Sequence, residues 1–132
     1  MSTIVLDIWL YGALARYGGA GAQLGYAHLE LRLPQGSTIS DLLAHLGMPT
    51  AERGITFING QLSAMPGLQP DLDHVLQDND RVAFFDHRSM WPFQYRHGAA
   101  LTPELASAMS ARDMVGLHHT FDVQGQETPK PE

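Results

Sequence analysis

Residues 33–47 read Leu-Pro-Gln-Gly-Ser-Thr-Ile-Ser-Asp-Leu-Leu-Ala-His-Leu-Gly, and this stretch leaves the backbone little choice. Pro34 and Gly36 turn the chain after a strand that ends at Leu33. Thr38 is placed to cap a helix, and Asp41, at the third helical position, suits the positive N-terminal end of the helix dipole. Ile39, Leu42, Leu43 and Leu46 recur at i, i+3, i+4 and i+7, which is one face of an α-helix. Gly47 and Pro49 stop it. A helix of about two and a half turns is marginal alone in water, so its leucine stripe needs a sheet to lie on.

The flanking sequence supplies that sheet. Ile4 to Tyr11 is β-branched and aromatic, which predicts a strand with aliphatic Ile4, Leu6, Ile8 and Leu10 facing the helix. Val5, Asp7, Trp9 and Tyr11 face the other way. Gly12 to Gly25 holds five glycines and reads as a flexible connection with one helical turn at Ala13 to Tyr17. His28 to Leu33 alternates, a half-buried strand with Leu29, Leu31 and Leu33 inward, close enough to the first strand to pair as a hairpin. Ile55 to Ile58 is a short strand, Asn59-Gly60 a strong hairpin turn, and Gln61-Leu62 its return. Pro66 to Asp73 is irregular, Asp78 to Asp80 a turn, and Arg81 to Phe85 a final strand. One helix on one mixed sheet is an α+β, two-layer plan of β-grasp type.

Beyond Phe85 the pattern changes. Met90-Trp91-Pro92-Phe93-Gln94-Tyr95 is rich in aromatics, but its proline rules out a central strand. Thr102-Pro103-Glu104 reads as N-cap, first helical position and dipole partner, which predicts a short helix from 103 to about 112. His118 to Val123 reads as extended and 124–132 as disordered. The organisation expected is a domain over 1–89, an aromatic and helical extension over 90–123, and a tail over 124–132.

With 132 residues and 44% hydrophobic content, the chain has a one-domain length and enough apolar material for a core. A net charge of −6 argues against a nucleic-acid groove or an anionic membrane surface. The absence of cysteine removes thiol catalysis, disulfides and thiolate metal sites, and fits a reducing compartment. The apolar run Ile8 to Ala15 is too short to span a bilayer, and Asp7 precedes it with no basic residue, so no signal peptide is expected and the cytoplasm is the default.

Residues 3–89, about two thirds of the chain, resemble the ThiS/MoaD family of ubiquitin-like sulfur carriers. Four motifs, in order and spacing, carry the resemblance: Leu10-Tyr11-Gly12-Ala13-Leu14-Ala15-Arg16-Tyr17-Gly18; Pro34-x-Gly36-Ser37-Thr38-x-x-Asp41-Leu42-Leu43; Ile58-Asn59-Gly60; and Leu76-x-Asp78-x-Asp80-x-Val82-Ala83-Phe84-Phe85. The resemblance implies a ubiquitin-like β-grasp fold. It also implies dealings with an adenylating, activating-type enzyme or with a molybdenum/tungsten-cofactor oxidoreductase. Family members act through a C-terminal Gly-Gly whose carboxylate is adenylated and converted to a thiocarboxylate. Two residues without side chains can thread a narrow channel to a nucleotide phosphate.

Here the corresponding place, aligned from Val82, is Met90-Trp91, and about forty residues follow. The one Gly-Gly, Gly18-Gly19, lies in the first loop. The resemblance therefore implies a non-catalytic, partner-binding or accessory protein that needs no cofactor. Its contact residues are Arg88, Met90, Trp91, Phe93, Tyr95 and Arg96, since aromatic and arginine side chains dominate binding hot spots. The alternative is an active carrier with a processed C-terminus, for which the candidate end is Gly98. A second copy of the chain is a further candidate partner. A plainer role for the aromatic stretch is to fold back and cover an edge or open face of its own sheet.

Other constellations have bland readings. His87, His97, His118 and His119, with Asp86 and Asp122, are metal-ligand types, but none has H-x-x-x-H or H-x-H spacing, so no metal is assigned. Asp7 inside an apolar strand reads as a residue of the solvated face rather than a buried acid. Asp71, Asp73, Asp78 and Asp80 read as turn residues, lacking the twelve-residue calcium pattern. Ser89 has no G-x-S-x-G context, and the glycines lack a phosphate-loop lysine, so no catalytic set emerges.

Overall fold

In the computed structural model, which describes residues 2–89 and 100–111, the aliphatic run near the start becomes the organising strand. This strand, β1 (Thr3–Tyr11), alternates buried and half-buried along its length. β2 (Ala22–Gln23) and β3 (Tyr26–Pro34) follow, then α1 (Ile39–Leu46), β4 (Thr56–Ile58), β5 (Gln61–Ala64) and β6 (Arg81–Phe85). The six strands form one sheet in the order β2-β3-β1-β6-β4-β5. Only β1 and β6 run parallel; the other neighbours are antiparallel. The molecule is therefore a mixed α+β structure. Among the described residues no helix is long and apolar enough to cross a membrane.

Each face of the sheet follows from alternation. Ile4, Leu6, Ile8 and Leu10 of β1, with Val82 and Phe84 of β6, are buried against Ile39, Leu42 and Leu43 of α1 in the main core. Leu33 joins them, while Leu29 and Leu31 pack on the same core half-buried. The helix entry is more tightly specified than a simple cap. Thr38 Oγ1 accepts from the Asp41 N–H at 3.2 Å, and the Asp41 carboxylate accepts from the Thr38 N–H at 2.9 Å. This reciprocal box satisfies two donors that a helix start leaves unpaired. Gly47 ends the helix in the left-handed conformation, at φ 71°.

Three expectations need correction. The glycine-rich connection is not a loose loop with one helical turn: residues Gly12–Gly21 form a 3-10 segment that packs against β3. Two of its glycines serve close approach. A Cβ on Gly18 would lie 2.3 Å from Ala27 Cβ, and one on Gly21 would lie 2.6 Å from the His28 carbonyl oxygen. Part of the irregular stretch at 66–73 is also a 3-10 turn, Pro70–Asp73. Finally, Asp71 is more than a turn residue. It is fully buried and takes a bidentate pair of hydrogen bonds from the fully buried Arg53, at 2.8 and 2.7 Å. Arg53 Nε donates to Thr50 Oγ1 and its Nη1 also donates to Thr56 Oγ1, while Ser63 Oγ donates to Asp71. Asp78 and Asp80 do act in the turn, accepting from Val5 N–H and from Gln77 N–H and Asn59 Nδ2.

The end of the described chain docks on the far edge of the sheet. Leu62 N–H donates to the Ala100 carbonyl at 2.8 Å and Thr102 N–H donates to the Leu62 carbonyl at 3.0 Å. A second helix, α2, spans 103–111. Thr102 caps it by accepting from the Leu105 N–H, as its sequence position predicts. Leu105 is buried in a second cluster with Ile55, Leu62 and Met65, against which Phe57 and Phe85 pack. His74 Nδ1 and Glu104 Oε2, 3.1 Å apart, clasp α2 to the turn after Pro70–Asp73.

Two stability experiments check this packing. Leu43, 5% exposed, should cost ~2–5 kcal/mol when changed to Ala; a loss below about 1 kcal/mol in urea denaturation would put it outside the core. Asp71→Ala strands the buried Arg53 guanidinium, so a larger share of the stability should go, about 3–5 kcal/mol. Near-neutral behaviour of Asp71→Ala would mean that the pair is open to water.

Candidate functional site: the aromatic face of the sheet

The face of the sheet turned away from α1 is built by the residues that alternate with the core. In register, Trp9 stands beside His28 on one side and Ala83 on the other; Tyr11 stands between Tyr26 and Phe85; Asp7 stands between Glu30 and Arg81. This places aromatic rings in a continuous row. Trp9 stacks on His28 with centroids 3.9 Å apart and planes 12° from parallel. Trp9 also lies 6.0 Å from Tyr26 and 6.1 Å from Tyr11. Tyr11 stacks on Phe85 at 4.6 Å, and Phe85 meets Phe57 edge-on at 5.9 Å.

The row has two different ends. Phe57 and Phe85 pack into the cluster that holds Leu105 of α2. At the β3 end, Trp9 is half-buried and His28 exposed, Tyr26 is 39% exposed, and Leu24 at the β2–β3 tip is wholly exposed. Aromatic side chains held in a row by a rigid sheet offer large contact area at low entropic cost, and tyrosine and tryptophan carry a polar handle as well.

A charged node sits beside the rings. Asp7 Oδ2 accepts from Arg81 Nε at 2.8 Å and, at the long distance of 3.4 Å, from Trp9 Nε1. Its other oxygen pairs with His28 Nε2. Partial burial opposes ionisation of Asp7, but the hydrogen bonds from Arg81, His28 and Trp9, with the charge of His28, outweigh it and hold the carboxyl below its ordinary value. The sequence reading placed Asp7 on the solvated face, and it stands there in a network.

Of the contact residues expected from sequence, Arg88 is described. It is exposed in the 3-10 turn His87–Ser89, in a shallow depression shared with Ala13, Arg16 and Glu52. Met90, Trp91, Phe93, Tyr95, Arg96 and the candidate processed end Gly98 lie outside the described residues, as do His97, His118, His119 and Asp122. Two of the metal-ligand types have structural partners: His87 Nε2 donates to the Ala51 carbonyl, and Asp86 accepts from the Ala13 N–H at 2.7 Å. Among the described residues no three His, Asp or Glu side chains converge as metal ligands. Sequence reasoning did not single out Trp9, Tyr26 and His28. Part of the signal was there in the alternation Trp9-x-Tyr11 and in His28 on the strand expected to pair with it; Tyr26 lay outside the strand expected from His28 to Leu33, since β3 begins two residues earlier.

The node makes a prediction about pH. A carboxyl held below its ordinary pKa of 3.8 adds stability that is fully present above that value and is lost as pH falls through the lowered, folded-state pKa. The stability gap between the parent chain and Asp7→Asn, measured by urea denaturation, should therefore close as pH falls below about 4. A gap unchanged by acid would mean that Arg81 and His28 do not hold the carboxylate.

Comparison with protein families, with curated proteins and with solved structures finds no match for this chain.

Proposed function

We propose that this chain is a ubiquitin-like β-grasp protein of ThiS/MoaD type that works without catalysis of its own, as a partner-binding or accessory protein in a sulfur-transfer or molybdenum/tungsten-cofactor enzyme system. The fold assignment draws on the strand order β3-β1-β6-β4-β5, with β1 and β6 parallel at the centre and α1 across one face; β2 is an addition at the edge. The observation that carries the functional reading is the second face, where Trp9, Tyr26 and His28 form an aromatic platform next to the Asp7–Arg81 pair. A protein partner with an apolar patch rimmed by polar groups fits such a surface. Arg88, exposed in the turn after β6, and the stretch Met90 to Arg96 remain the contact residues proposed from the sequence.

The test is direct binding. The chain is titrated calorimetrically against a carrier-type adenylating enzyme and against a molybdenum or tungsten oxidoreductase of its own host. Binding to one of them is expected, and Trp9→Ala should weaken it by ~2 kcal/mol, about thirtyfold. Undiminished affinity in Trp9→Ala would move the contact off this face. Intact-mass measurement of protein from the native host checks the chemistry: a species ending at Gly98 with sulfur in place of oxygen would make the chain a carrier instead.

A further inference from the structure

The two edges of the sheet are finished differently. The β5 edge is closed by the chain itself at 100–102, through the Ala100 and Thr102 hydrogen bonds to Leu62. At the other edge, β2 covers only Tyr26 and Ala27, and Gly21 comes up against the His28 carbonyl. Beyond His28, no described residue pairs with the outer side of β3.

The direction of the backbone groups on that edge follows from the other side of the sheet. Asp7 N–H donates to the Asp80 carbonyl and Asn79 N–H to the Val5 carbonyl, so odd-numbered residues of β1 turn their polar groups toward β6 and even-numbered ones toward β3. With Leu6 opposite Leu31 and Ile8 opposite Leu29, Leu29, Leu31 and Leu33 bond to β1. The N–H and C=O groups of Glu30 and Arg32 therefore point away from the sheet. Their side chains are 65% and 68% exposed, lie 3.8 Å apart as a loose surface ion pair that water screens, and stand on the aromatic face.

We infer that this chain pairs with a second copy of itself through the free part of β3, antiparallel and centred on Leu31. Charge selects both the occupant and the register. Outward-directed residues must face one another for the ladder to close. Centring on Glu30 sets two carboxylates face to face. Centring on Arg32 opposes two guanidiniums and sets Glu30 against Pro34, which has no N–H. Centring on Leu31 sets each Glu30 opposite Arg32 of the second copy, twice over by symmetry, as an isologous interface requires. The two half-buried Leu31 side chains then meet on the aliphatic face. Pro34 at one end and β2 at the other confine the ladder to this stretch. The inference stands apart from the family resemblance, since it uses only the edge and its charges.

Analytical ultracentrifugation of the full chain tests it. A concentration-dependent monomer–dimer equilibrium is expected. Glu30→Arg and Arg32→Glu should each weaken the dimer at least about tenfold, because like charges then face across both pairs. The double variant Glu30→Arg/Arg32→Glu should recover it, since opposite charges face again. Leu31→Cys gives a second readout that survives any loss of fold in the charge variants. The chain has no other cysteine, and central antiparallel positions of this kind lie about 4.5 Å apart between Cα atoms, within disulfide reach. Oxidation should give a covalent dimer. A chain that stays monomeric at its highest soluble concentration, a dimer indifferent to either single reversal, or a folded double variant that does not recover it overturns the inference.

Discussion

The pair formed by Arg53 and Asp71 supports half of this molecule. Both side chains are fully buried, and neither charge could stay there without the other. The pair ties together three segments that otherwise have little in common: the connection after α1 through Thr50, the β4–β5 hairpin through Thr56 and Ser63, and the 3-10 turn Pro70–Asp73. It sits where the register between β4 and β5 slips, between Thr56 and Phe57. The slip leaves Ser63 without a ladder partner, and its hydroxyl donates to Asp71 at 2.9 Å. The pair therefore holds both strands of the hairpin, β4 through Thr56 and β5 through Ser63. The β5 edge that receives residues 100–102 and α2 depends on it.

The other half of the sheet is organised by β1, a strand with two chemistries. One set of its side chains is wholly aliphatic and lies under α1. The other set is Asp7, Trp9 and Tyr11, which builds the ring row and the charged node. α2 does not treat this second face evenly. Its cluster takes in Phe57 and Phe85, so one end of the row belongs to the protein's own packing. At the opposite end Trp9, Tyr26 and His28 are partnered by one another and by Asp7. Stacking of this kind holds the rings in place before a partner arrives, which lowers the ordering entropy that binding must overcome.

What the sequence could reveal tracks how local each cause is. The helix Ile39–Leu46 was legible to the residue because its cap, stripe and stop all lie within a few positions. So was the Asn59-Gly60 turn, where both residues take positive φ, 51° and 82°, as a tight hairpin needs. The start of α2 at Thr102 was legible for the same reason. Asp71 was misread because its partner lies eighteen residues earlier in the chain, and no spacing rule links an arginine beside a glycine to an aspartate in an irregular stretch. The glycines of 12–25 were read as freedom when two of them are there for contact. That distinction depends on Ala27 and His28 across the sheet, which no local pattern contains. The ring row fell between these cases: its alternation was visible on β1, but Tyr26 lay before the strand expected to start at His28, and the row's meaning needed the register.

The edges of the sheet show why register matters beyond packing. A sheet edge with exposed hydrogen-bonding groups invites any extended chain. This protein closes one edge with its own residues 100–102 and shortens the exposure of the other with β2 and Pro34. What remains on β3 is a short window whose two outward residues carry opposite charges. Such a window is poorly matched to a generic apolar strand, because Glu30 and Arg32, already 3.8 Å apart on their own strand, would lose water without gaining a second counter-charge. It accepts a strand that presents the same two charges in reverse order at the same spacing, and an antiparallel copy of the window does so. The residues that blunt the edge against aggregation are thus the ones that make it selective for itself.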